Sequence, residues 1–272
     1  MKNCDTKLNL EKSEESVSQG AERTIVREHP KVYKDDVANF LNSASIKHLA
    51  IIMDGNARWA TQHNLAKSEG HKAGADKIRE LLPEFINLNL PYVTLYTFSS
   101  ENWQRSSTEI AFLINLLSIY LKKELNSLHK NGVKIKVIGR LNLLSNALQK
   151  QINNAIELTK NNNKLTLCIA FSYGSRQEIT DACRKIIASG KTEISEQDIQ
   201  NALYDEDMPD VDLLIRPGGV FRISNFLLWQ AAYAELYFSA KYWPDFNKDD
   251  IHEAINDYSK RKRTFGKRES IS

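Results

Sequence analysis

The pattern of apolar and polar positions changes character at about residue 46. Residues 1–45 are polar, mixed in charge and without sustained apolar periodicity, which predicts a flexible N-terminal tail with at most a short helix near 35–41. From Ile46 onward, short apolar runs alternate with longer amphipathic stretches. Residues 46–272 are therefore predicted to form one folded domain.

Five short apolar runs are predicted to be strands, at 48–53, 92–98, 133–138, 165–170 and 211–215. Four longer stretches carry apolar residues at helical spacing, at 70–88, 108–128, 145–160 and 175–189. Asn131-Gly132 predicts a helix end, and Ser195 with Asp198 predicts a helix N-cap. This alternation predicts a single α/β domain with a mainly parallel central sheet flanked by helices. Ligands of such sheets bind beyond the carboxyl ends of the strands.

Composition narrows the class of protein. The 272 residues are 42% hydrophobic, which is enough for one well-buried domain. A formal net charge of +3 gives no broad basic field for nucleic acid, so any anion site must be local. Three widely spaced cysteines form no disulfide framework, and the histidines lack the ligand spacing of a zinc site. With no apolar signal region and no run of roughly 20 apolar residues, a cytoplasmic protein is expected.

The first polar cluster lies in MDGNARWA, directly after the first predicted strand. Gly55 lets the backbone approach a ligand closely, and the following helix N-terminus offers free N–H groups to a phosphate. Arg58 adds a planar charged donor. Asp54 would repel a bare phosphate, so its presence indicates a bridging cation, most naturally Mg²⁺. The alternative is that Asp54 only caps the helix.

The second cluster, SSENWQR at 99–105, follows the second predicted strand. It combines hydroxyls, an amide, a carboxylate, an indole and a guanidinium. Ser and Asn are common in ordinary turns, whereas Trp and Arg seldom occur beside them. This segment is therefore predicted to belong to a functional site. The alternative is a surface turn with a stacked tryptophan.

The third cluster follows the fifth predicted strand and holds a Gly-Gly turn between two arginines. The arginines, a nearby hydroxyl and the glycine amides are predicted to clamp a diphosphate. These residues are Arg216, Gly218, Gly219, Arg222 and Ser224. Further on, Glu235 lies inside the apolar run AAYAELYF, where a carboxylate should contact a metal, an arginine or a hydrogen-bond donor. The clusters thus predict two anion sites and two carboxylates that could bind a metal. A reaction between two diphosphates with hydrocarbon tails requires such sites.

Four segments carry a resemblance to a known family: HLAIIMDGNARWA at 48–60, GHKAG at 70–74, TLYTFSSENWQR at 94–105 and RISNFLLWQAAYAELYF at 222–238. They resemble the cis-prenyltransferases, above all the bacterial undecaprenyl diphosphate synthases, from Ile46 to Arg268. The resemblance implies a Mg²⁺-dependent homodimer that condenses isopentenyl diphosphate with an allylic diphosphate such as farnesyl diphosphate. The implied product is a long-chain polyprenyl diphosphate such as undecaprenyl diphosphate, a cell-wall lipid carrier, and its chain would lie in an apolar tunnel.

The resemblance also implies a role for each matching residue. Asp54 would hold Mg²⁺ on the allylic diphosphate and assist its departure, and Glu235 would complete the metal site across the dimer. Contacts along the allylic diphosphate are implied for Gly55, Asn56, Arg58 and His71. Ser99 and Asn102 would lie at the reacting end. Trp59 and Trp103 would shape the substrate pocket. Further substrate-binding residues are Lys67 and Arg105, and isopentenyl diphosphate would contact Arg216, Arg222 and Ser224.

The chain departs from the family pattern at three places. Lys67 lies where the family usually has Arg. The lysine ammonium is a point charge, whereas the arginine guanidinium is a bidentate donor. Pro217 and Val220 lie in a segment that usually reads Arg-Thr-(Ser/Gly)-Gly-Glu. The C-terminal Arg-Phe-Gly that resembles a phosphate contact across the dimer reads Thr264-Phe265-Gly266 here, beside Arg263. Because most of these changes fall on the isopentenyl side, altered handling of that substrate is expected.

Alternative functions differ in the residues they require. A trans-type prenyl synthase would be all-helical with two DDxxD-like sites, but Asp35-Asp36 lacks the downstream Asp and Asp249-Asp250 is predicted to be a solvated helix face. A non-catalytic accessory subunit would lack the metal-binding carboxylate that Asp54 supplies. A paralogue that makes short or irregular prenyl products stays open because of Pro217 and Val220. The basic run Lys260–Arg263, with Lys267-Arg268, is interpreted as a solvated tail or, because the implied product is strongly apolar, as a peripheral contact with anionic lipid.

Overall fold

The computed structural model describes residues 46–263. Within this range the chain forms a six-stranded, wholly parallel sheet in the order β3-β4-β2-β1-β5-β6. Its strands are β1 (His48–Ile52), β2 (Tyr92–Ser99), β3 (Val133–Ile138), β4 (Leu165–Tyr173), β5 (Leu213–Arg216) and β6 (Glu235–Phe238). Because all strands run the same way, their carboxyl ends meet at one edge of the sheet.

Seven α-helices flank this sheet within residues 46–263. They are α1 (Asn56–Gln62), α2 (Lys67–Asn87), α3 (Ser107–Lys130), α4 (Asn146–Thr159), α5 (Ser175–Ala188), α6 (Glu196–Ala202) and α7 (Lys248–Ser259). Three short 3₁₀ helices occur as well, at Ser100–Gln104, Leu141–Leu143 and Trp243–Asp245. In this part of the chain no helix is long and apolar enough to cross a bilayer.

Local sequence signals set the helix boundaries. The hydroxyls of Ser106 and Ser145 accept hydrogen bonds from the first turns of α3 and α4. Ser195 and Asp198 form the capping box that the sequence predicts before α6. Gly132, with φ 75°, takes the left-handed conformation just after α3, where Asn131-Gly132 predicts a helix end.

The core lies on both faces of the central strand β1. All five residues of β1 are buried, and they pair with β2 on one side and with β5 on the other. The near-continuous apolar run at 48–53 is typical of a strand covered on both faces. This burial fixes the register, so the residues that follow β1, β2 and β5 are brought to the same edge of the sheet.

The predicted α/β fold with a parallel sheet is confirmed, and the five predicted strands and four predicted helices are present. Three details differ. β4 continues to Tyr173, three residues beyond the predicted end, because its last residues still pair with β2. β6 was not predicted as a strand. Asp250 is buried and hydrogen-bonded to Asn247 and Lys241, so the prediction of a solvated face is wrong at this position. The predicted tail at 1–45 and the segment 264–272 lie outside the described residues.

Candidate active site

Asp54 lies two residues beyond β1, at the carboxyl edge of the sheet. Its Oδ1 accepts the backbone N–H of Gly55 at 2.6 Å, and Gly55 has φ 99°, a conformation that suits glycine. The residue that caps α1 is Gly55, and no side chain of residues 46–263 makes a capping hydrogen bond to that helix. The alternative that Asp54 is only a helix cap is therefore wrong.

Two arginines contact the Asp54 carboxylate. Nη2 of Arg216 donates to Oδ2 at 2.8 Å, and Nη2 of Arg58 lies 3.1 Å from Oδ1. Burial alone would raise the pKa of Asp54, but the hydrogen bond and charge of Arg216, with the charge of Arg58, lower that pKa below its ordinary value. Asp54 is thus held ionised while more than a quarter of its side chain, 28%, stays exposed.

Arg216, the last residue of β5, is buried and joins the first and third clusters. Its Nη1 donates to the hydroxyl of Ser224 at 2.7 Å and to the carbonyl of Arg222. Its Nε has no hydrogen-bond partner among residues 46–263. Ser224 and Arg222 are themselves exposed, and Ser224 adopts φ 49°. The buried Arg216 thus contacts the side chain of Ser224 and the backbone of Arg222, while a clamp that includes the Arg222 guanidinium stays a prediction.

The Gly-Gly turn differs from its predicted role. The N–H of Gly218 donates to the carbonyl of Lys241 at 2.7 Å, and the N–H of Gly219 donates to the carbonyl of Ser239 at 2.8 Å. These amides are occupied by the chain itself, so they do not serve as the free donors that the sequence predicts for a diphosphate. The carbonyl of Gly218 instead accepts a 2.7 Å hydrogen bond from Nη1 of Arg58.

The second cluster forms the 3₁₀ helix that follows β2. The side chains of Ser99 and Asn102 make a capping box, in which Asn102 Oδ1 accepts from the Ser99 N–H at 3.0 Å. Trp103 is half-buried, donates from Nε1 to the Ser172 hydroxyl at 2.9 Å and packs edge-on against Phe98. The alternative of a solvent-stacked surface tryptophan is therefore wrong.

One hydrogen bond ties the second cluster to the third. Nδ2 of Asn225, next to Ser224, donates to the Glu101 carboxylate at 2.9 Å. Asn225 adopts φ 61°, which asparagine tolerates better than most residues. The second and third clusters thus form one continuous polar surface at the carboxyl edge.

A second cation–carboxylate group lies between α2 and α3. Nη1 of Arg105 donates to Glu109 at 2.7 Å, and Nε2 of His71 lies 3.4 Å from the same carboxylate oxygen, without the geometry of a hydrogen bond. Burial and the neighbouring charge of Arg105 lower the pKa of His71, so its ring is neutral at pH 7. Lys67, the first residue of α2, is exposed.

Asn56 is held against α2 by two glycines. A Cβ at Gly70 would lie 2.1 Å from the Asn56 carbonyl oxygen, and one at Gly74 would lie 2.4 Å from Asn56 Oδ1. The GHKAG motif therefore lets the start of α1 pack directly on α2. Oδ1 of Asn56 is buried without a hydrogen-bond partner in the described part of the chain.

A cavity of about 460 Å³ lies between α2, α3 and the sheet. Its lining includes Met53 and Asn56, on either side of Asp54-Gly55, and His71, and most of its wall is apolar. Leu residues of α3 and Ile78 of α2 line it. The two tryptophans predicted to shape the substrate pocket are not in this wall. Trp59 instead donates to Asp245 at 2.7 Å, and Trp103 packs in the core.

Glu235 lies away from Asp54 within one chain. It begins β6 and pairs in register with Leu213, which in turn pairs with Leu49. Asp54 is five residues beyond Leu49, so the backbone positions of Asp54 and Glu235 are roughly 15 Å apart along the strand direction. Glu235 accepts a 2.8 Å hydrogen bond from Nη1 of Arg261, one of the partners that the sequence allows. The two predicted metal carboxylates therefore do not meet in a single chain.

The donor set at Asp54 fits Mg²⁺ in one specific way. In enzymes that act on phosphates, Mg²⁺ is commonly held by one or two carboxylates together with substrate oxygens and water. Asp54 is an ionised, partly exposed carboxylate of this kind. Between residues 46 and 263, no group of three or more His, Cys, Asp or Glu side chains could hold a metal ion. As a single ionised and partly exposed carboxylate, Asp54 fits a metal ion that is shared with a substrate.

Two residues of the site were not predicted from the sequence. Tyr242 packs on Gly55, and the Arg58 guanidinium lies over its ring, 5.1 Å from the centroid. Nothing in its local pattern marks this aromatic residue. Glu109 could have been found, because it follows Arg105 by four residues, the spacing of a helical ion pair.

Two solved structures share this fold. Lavandulyl diphosphate synthase from Lavandula x intermedia, solved in complex with dimethylallyl diphosphate, has a TM-score of 0.78 and 32% identity, covering 82% of this chain and 98% of that one. A probable undecaprenyl diphosphate synthase from Campylobacter jejuni has a TM-score of 0.71 and 35% identity, covering 82% of this chain and 99% of that one. The fold is thus that of the cis-prenyl synthases.

Proteins related in sequence belong to the same family as these structures. The family described as "Putative undecaprenyl diphosphate synthase" matches residues 52–266. An isoprenyl transferase of Rickettsia felis is 89% identical over 224 residues, which are 82% of this chain and 95% of the relative. An isoprenyl transferase of Fusobacterium nucleatum is 49% identical over 220 residues, or 81% of this chain and 95% of the relative. The chain belongs to the cis-prenyltransferase family and is a prenyltransferase.

Proposed function

We propose that this protein elongates a prenyl chain by condensing isopentenyl diphosphate with an allylic diphosphate, with farnesyl diphosphate as primer. One observation carries the proposal. Asp54, held ionised between Arg58 and Arg216, lies in the same loop as Met53 and Asn56, which line the apolar cavity. The two arginines at Asp54 can bind a diphosphate, and the apolar cavity can hold its hydrocarbon tail.

Mg²⁺ would be held by Asp54 together with diphosphate oxygens, and it would supply charge stabilisation for the departing diphosphate. Glu235 would join that site from a second copy of the chain. Arg216 keeps Asp54 ionised and oriented, which leaves the carboxylate ready to act as a ligand.

The other residues bind and orient the substrates. Arg58 and Asn56 lie along the allylic diphosphate, and neutral His71 can donate one hydrogen bond there. The exposed Arg222 and Ser224 bind isopentenyl diphosphate. Negative charge grows on the allylic diphosphate as its C–O bond breaks, and the arginines stabilise that charge. The isopentenyl double bond forms the new C–C bond at the allylic carbon, and the product then loses a proton.

We propose a homodimer formed through the β6 edge of the sheet. Among residues 46–263, β6 pairs only with β5, so its other edge is not covered by another strand of this part of the chain. Leu236 in β6 and Phe221 before it are exposed, Phe221 by 79%, and large exposed apolar groups often mark an interface. A partner at this edge could bring its Glu235 to the Asp54 of the first chain.

A second candidate function is the synthesis of a short prenyl product from dimethylallyl diphosphate. The similarity to lavandulyl diphosphate synthase, solved with that compound, favours it. Pro217 and Val220 also lie next to the proposed isopentenyl site, at the Gly-Gly turn.

The test is to incubate the purified chain with Mg²⁺, labelled isopentenyl diphosphate and either farnesyl or dimethylallyl diphosphate, and to size the products by chromatography. We expect a long, Mg²⁺-dependent product from farnesyl diphosphate. Asp54→Ala should lower the rate by at least about 100-fold, because it removes both the metal ligand and the partner of Arg216.

Other products separate the alternatives. A single short product would favour the second candidate. An isopentenyl KM in the ordinary micromolar range would contradict the expected effect of Pro217 and Val220 on that substrate. No product with either primer would contradict catalysis by the chain alone and favour an accessory subunit.

A further inference from the structure

The segment at 239–243, which follows β6, contacts both loops of the proposed diphosphate site. The carbonyls of Ser239 and Lys241 accept the two N–H groups of the Gly-Gly turn. The N–H of Trp243 donates to the carbonyl of Asp54 at 2.9 Å. Between these anchors lies Tyr242, whose side chain is half-buried.

The Tyr242 ring fills a specific space in the Asp54 loop. A Cβ at Gly55 would lie 2.5 Å from its Cδ1, so the ring rests directly on the glycine backbone. The guanidinium carbon of Arg58 lies 5.1 Å from the ring centroid, within the range of a cation–π contact.

Arg58 is thereby held from three directions. Its Nη1 donates to the Gly218 carbonyl, its Nη2 faces Asp54, and Tyr242 supports its planar face. Even so, 44% of the Arg58 side chain remains exposed. An exposed arginine normally samples many rotamers, so three restraints on this one select a single orientation with an accessible edge.

We propose that Tyr242 is a positioning residue for Arg58, which it fixes in the orientation that binds a diphosphate. This inference deepens the proposed function and rests on it. An arginine that is already oriented loses less conformational freedom on binding its ligand, so the ring contributes to affinity without touching the substrate. The phosphate-binding group is thus supported by an aromatic face from a distant part of the sequence.

The test compares Tyr242→Leu with Tyr242→Phe. Leucine can still pack on Gly55 but offers no π face, whereas phenylalanine keeps the ring. With inorganic pyrophosphate as the probe, titrated by calorimetry with and without Mg²⁺, we expect Tyr242→Leu to weaken binding about two- to fivefold, the effect of one exposed cation–π contact. Tyr242→Phe should restore most of the affinity.

A double-mutant cycle separates positioning from a general structural effect. In an Arg58→Ala background, Tyr242→Leu should cause no further loss of pyrophosphate affinity, because the group it positions is absent. In turnover, Tyr242→Leu should raise the KM of the allylic diphosphate while kcat changes less. Thermal unfolding of each variant gives its stability independently.

Three results would overturn the inference: unchanged affinity in Tyr242→Leu, an equal loss in Tyr242→Phe, or losses that add in the Arg58→Ala background. Each of these leaves the proposed function intact if the parent chain binds pyrophosphate and makes product. Failure of the parent chain to bind pyrophosphate or an allylic diphosphate at all would overturn both proposals.

Discussion

Arg216 shows how a single side chain can organise a polar site. Its guanidinium is buried, yet it reaches a carboxylate after β1, a hydroxyl after β5 and a backbone carbonyl of the same loop. Lysine has neither the planar fork nor the number of fixed donors to satisfy these three acceptors at once. Arg216 is buried, so removal of Asp54 would leave its charge without this partner and should also lower stability. The Asp54–Arg216 pair therefore serves both binding and folding.

His48 is a second residue whose surroundings determine its protonation. It is fully buried in β1, where Nδ1 lies 2.8 Å from the Pro209 carbonyl and Nε2 lies 2.7 Å from the Thr94 hydroxyl. Because a carbonyl only accepts, Nδ1 carries the proton and Nε2 accepts from Thr94. Burial lowers the pKa of His48 to about 4, against opposing hydrogen-bond and charge effects.

We expect acid to destabilise the protein through His48. The unfolded chain takes up this proton near pH 6.5, whereas the folded chain does so only near pH 4. The stability that depends on the neutral ring is complete above pH 6.5 and is lost as the pH falls, by about 3 kcal/mol at pH 4. Urea unfolding between pH 7.5 and 4 measures this loss.

His48→Gln is the control, since glutamine has a donor and an acceptor but does not titrate. The variant should be less stable at pH 7.5, yet its free energy of unfolding should fall less steeply between pH 6.5 and 4. Equal slopes for the two proteins would show that His48 contributes nothing to the acid sensitivity.

At the scale of elements, the packing of α1 on α2 depends on two glycines. Gly70 and Gly74 face Asn56 so closely that neither position has room for a Cβ. Trp243 completes this arrangement, since its Nε1 donates to the carbonyl of Gly74 at 2.8 Å. The helix that begins at the proposed diphosphate site is thus fixed to the helix that lines the cavity.

Alanine at these glycines should destabilise the protein, although helix propensity favours alanine over glycine by about 0.5–1 kcal/mol. Gly70→Ala should cost more than Gly74→Ala, because the first meets a backbone oxygen at 2.1 Å and the second meets a side-chain oxygen at 2.4 Å. Chemical denaturation of both variants tests this order. A gain in stability for either one would contradict the close packing.

Much of the fold was predictable because its elements have strong local signals. Three features could be predicted from the local sequence alone: the apolar run of β1, the helix end at Asn131-Gly132 and the capping box at Ser195. β6 was missed because its four residues include a glutamate and its pairing with β5 is non-local. The occupied Gly-Gly amides were missed for the same reason, since their acceptors follow β6.

The candidate site was predictable in its parts but not in its connections. Asp54, Arg58 and Arg216 stand out as charged residues at or just after the carboxyl ends of buried strands, where parallel sheets bind ligands. The sequence does not indicate that both arginines contact one carboxylate, because that depends on rotamers and on strand order. Tyr242 is the clearest omission, because an aromatic ring shows its use only when its neighbours are known.

At the scale of the whole molecule, the distance between Asp54 and Glu235 is the decisive feature. Parallel register places Glu235 level with Leu49, far from the carboxyl edge of its own chain. If both carboxylates hold one metal ion, the second must come from another copy. The proposed dimer would then have two equivalent sites, each built from both chains.

Mixing two inactive variants tests this arrangement. Asp54→Ala and Glu235→Ala chains, each inactive alone, should regain about a quarter of the parent activity after mixing and subunit exchange, since half the dimers are mixed and each mixed dimer has one intact site. The assay is product formation from farnesyl diphosphate, with each variant alone as control. Absence of recovery, when subunit exchange is confirmed by mass spectrometry, would contradict a site shared across the dimer.

The hydrogen bond between Asp54 and Arg216 joins residues 162 positions apart, and this separation governs how the protein is made. At about 5–20 residues per second, a ribosome needs roughly 8–30 s to add β5 after β1. Until then β1, which is wholly apolar apart from its histidine, has an unpaired edge of the kind that promotes aggregation. We expect the nascent chain to need protection during this interval. The arrival of β5 pairs the open edge of β1 and delivers Arg216 to Asp54 in the same step, so protection of this edge and assembly of the Asp54–Arg216 pair occur together.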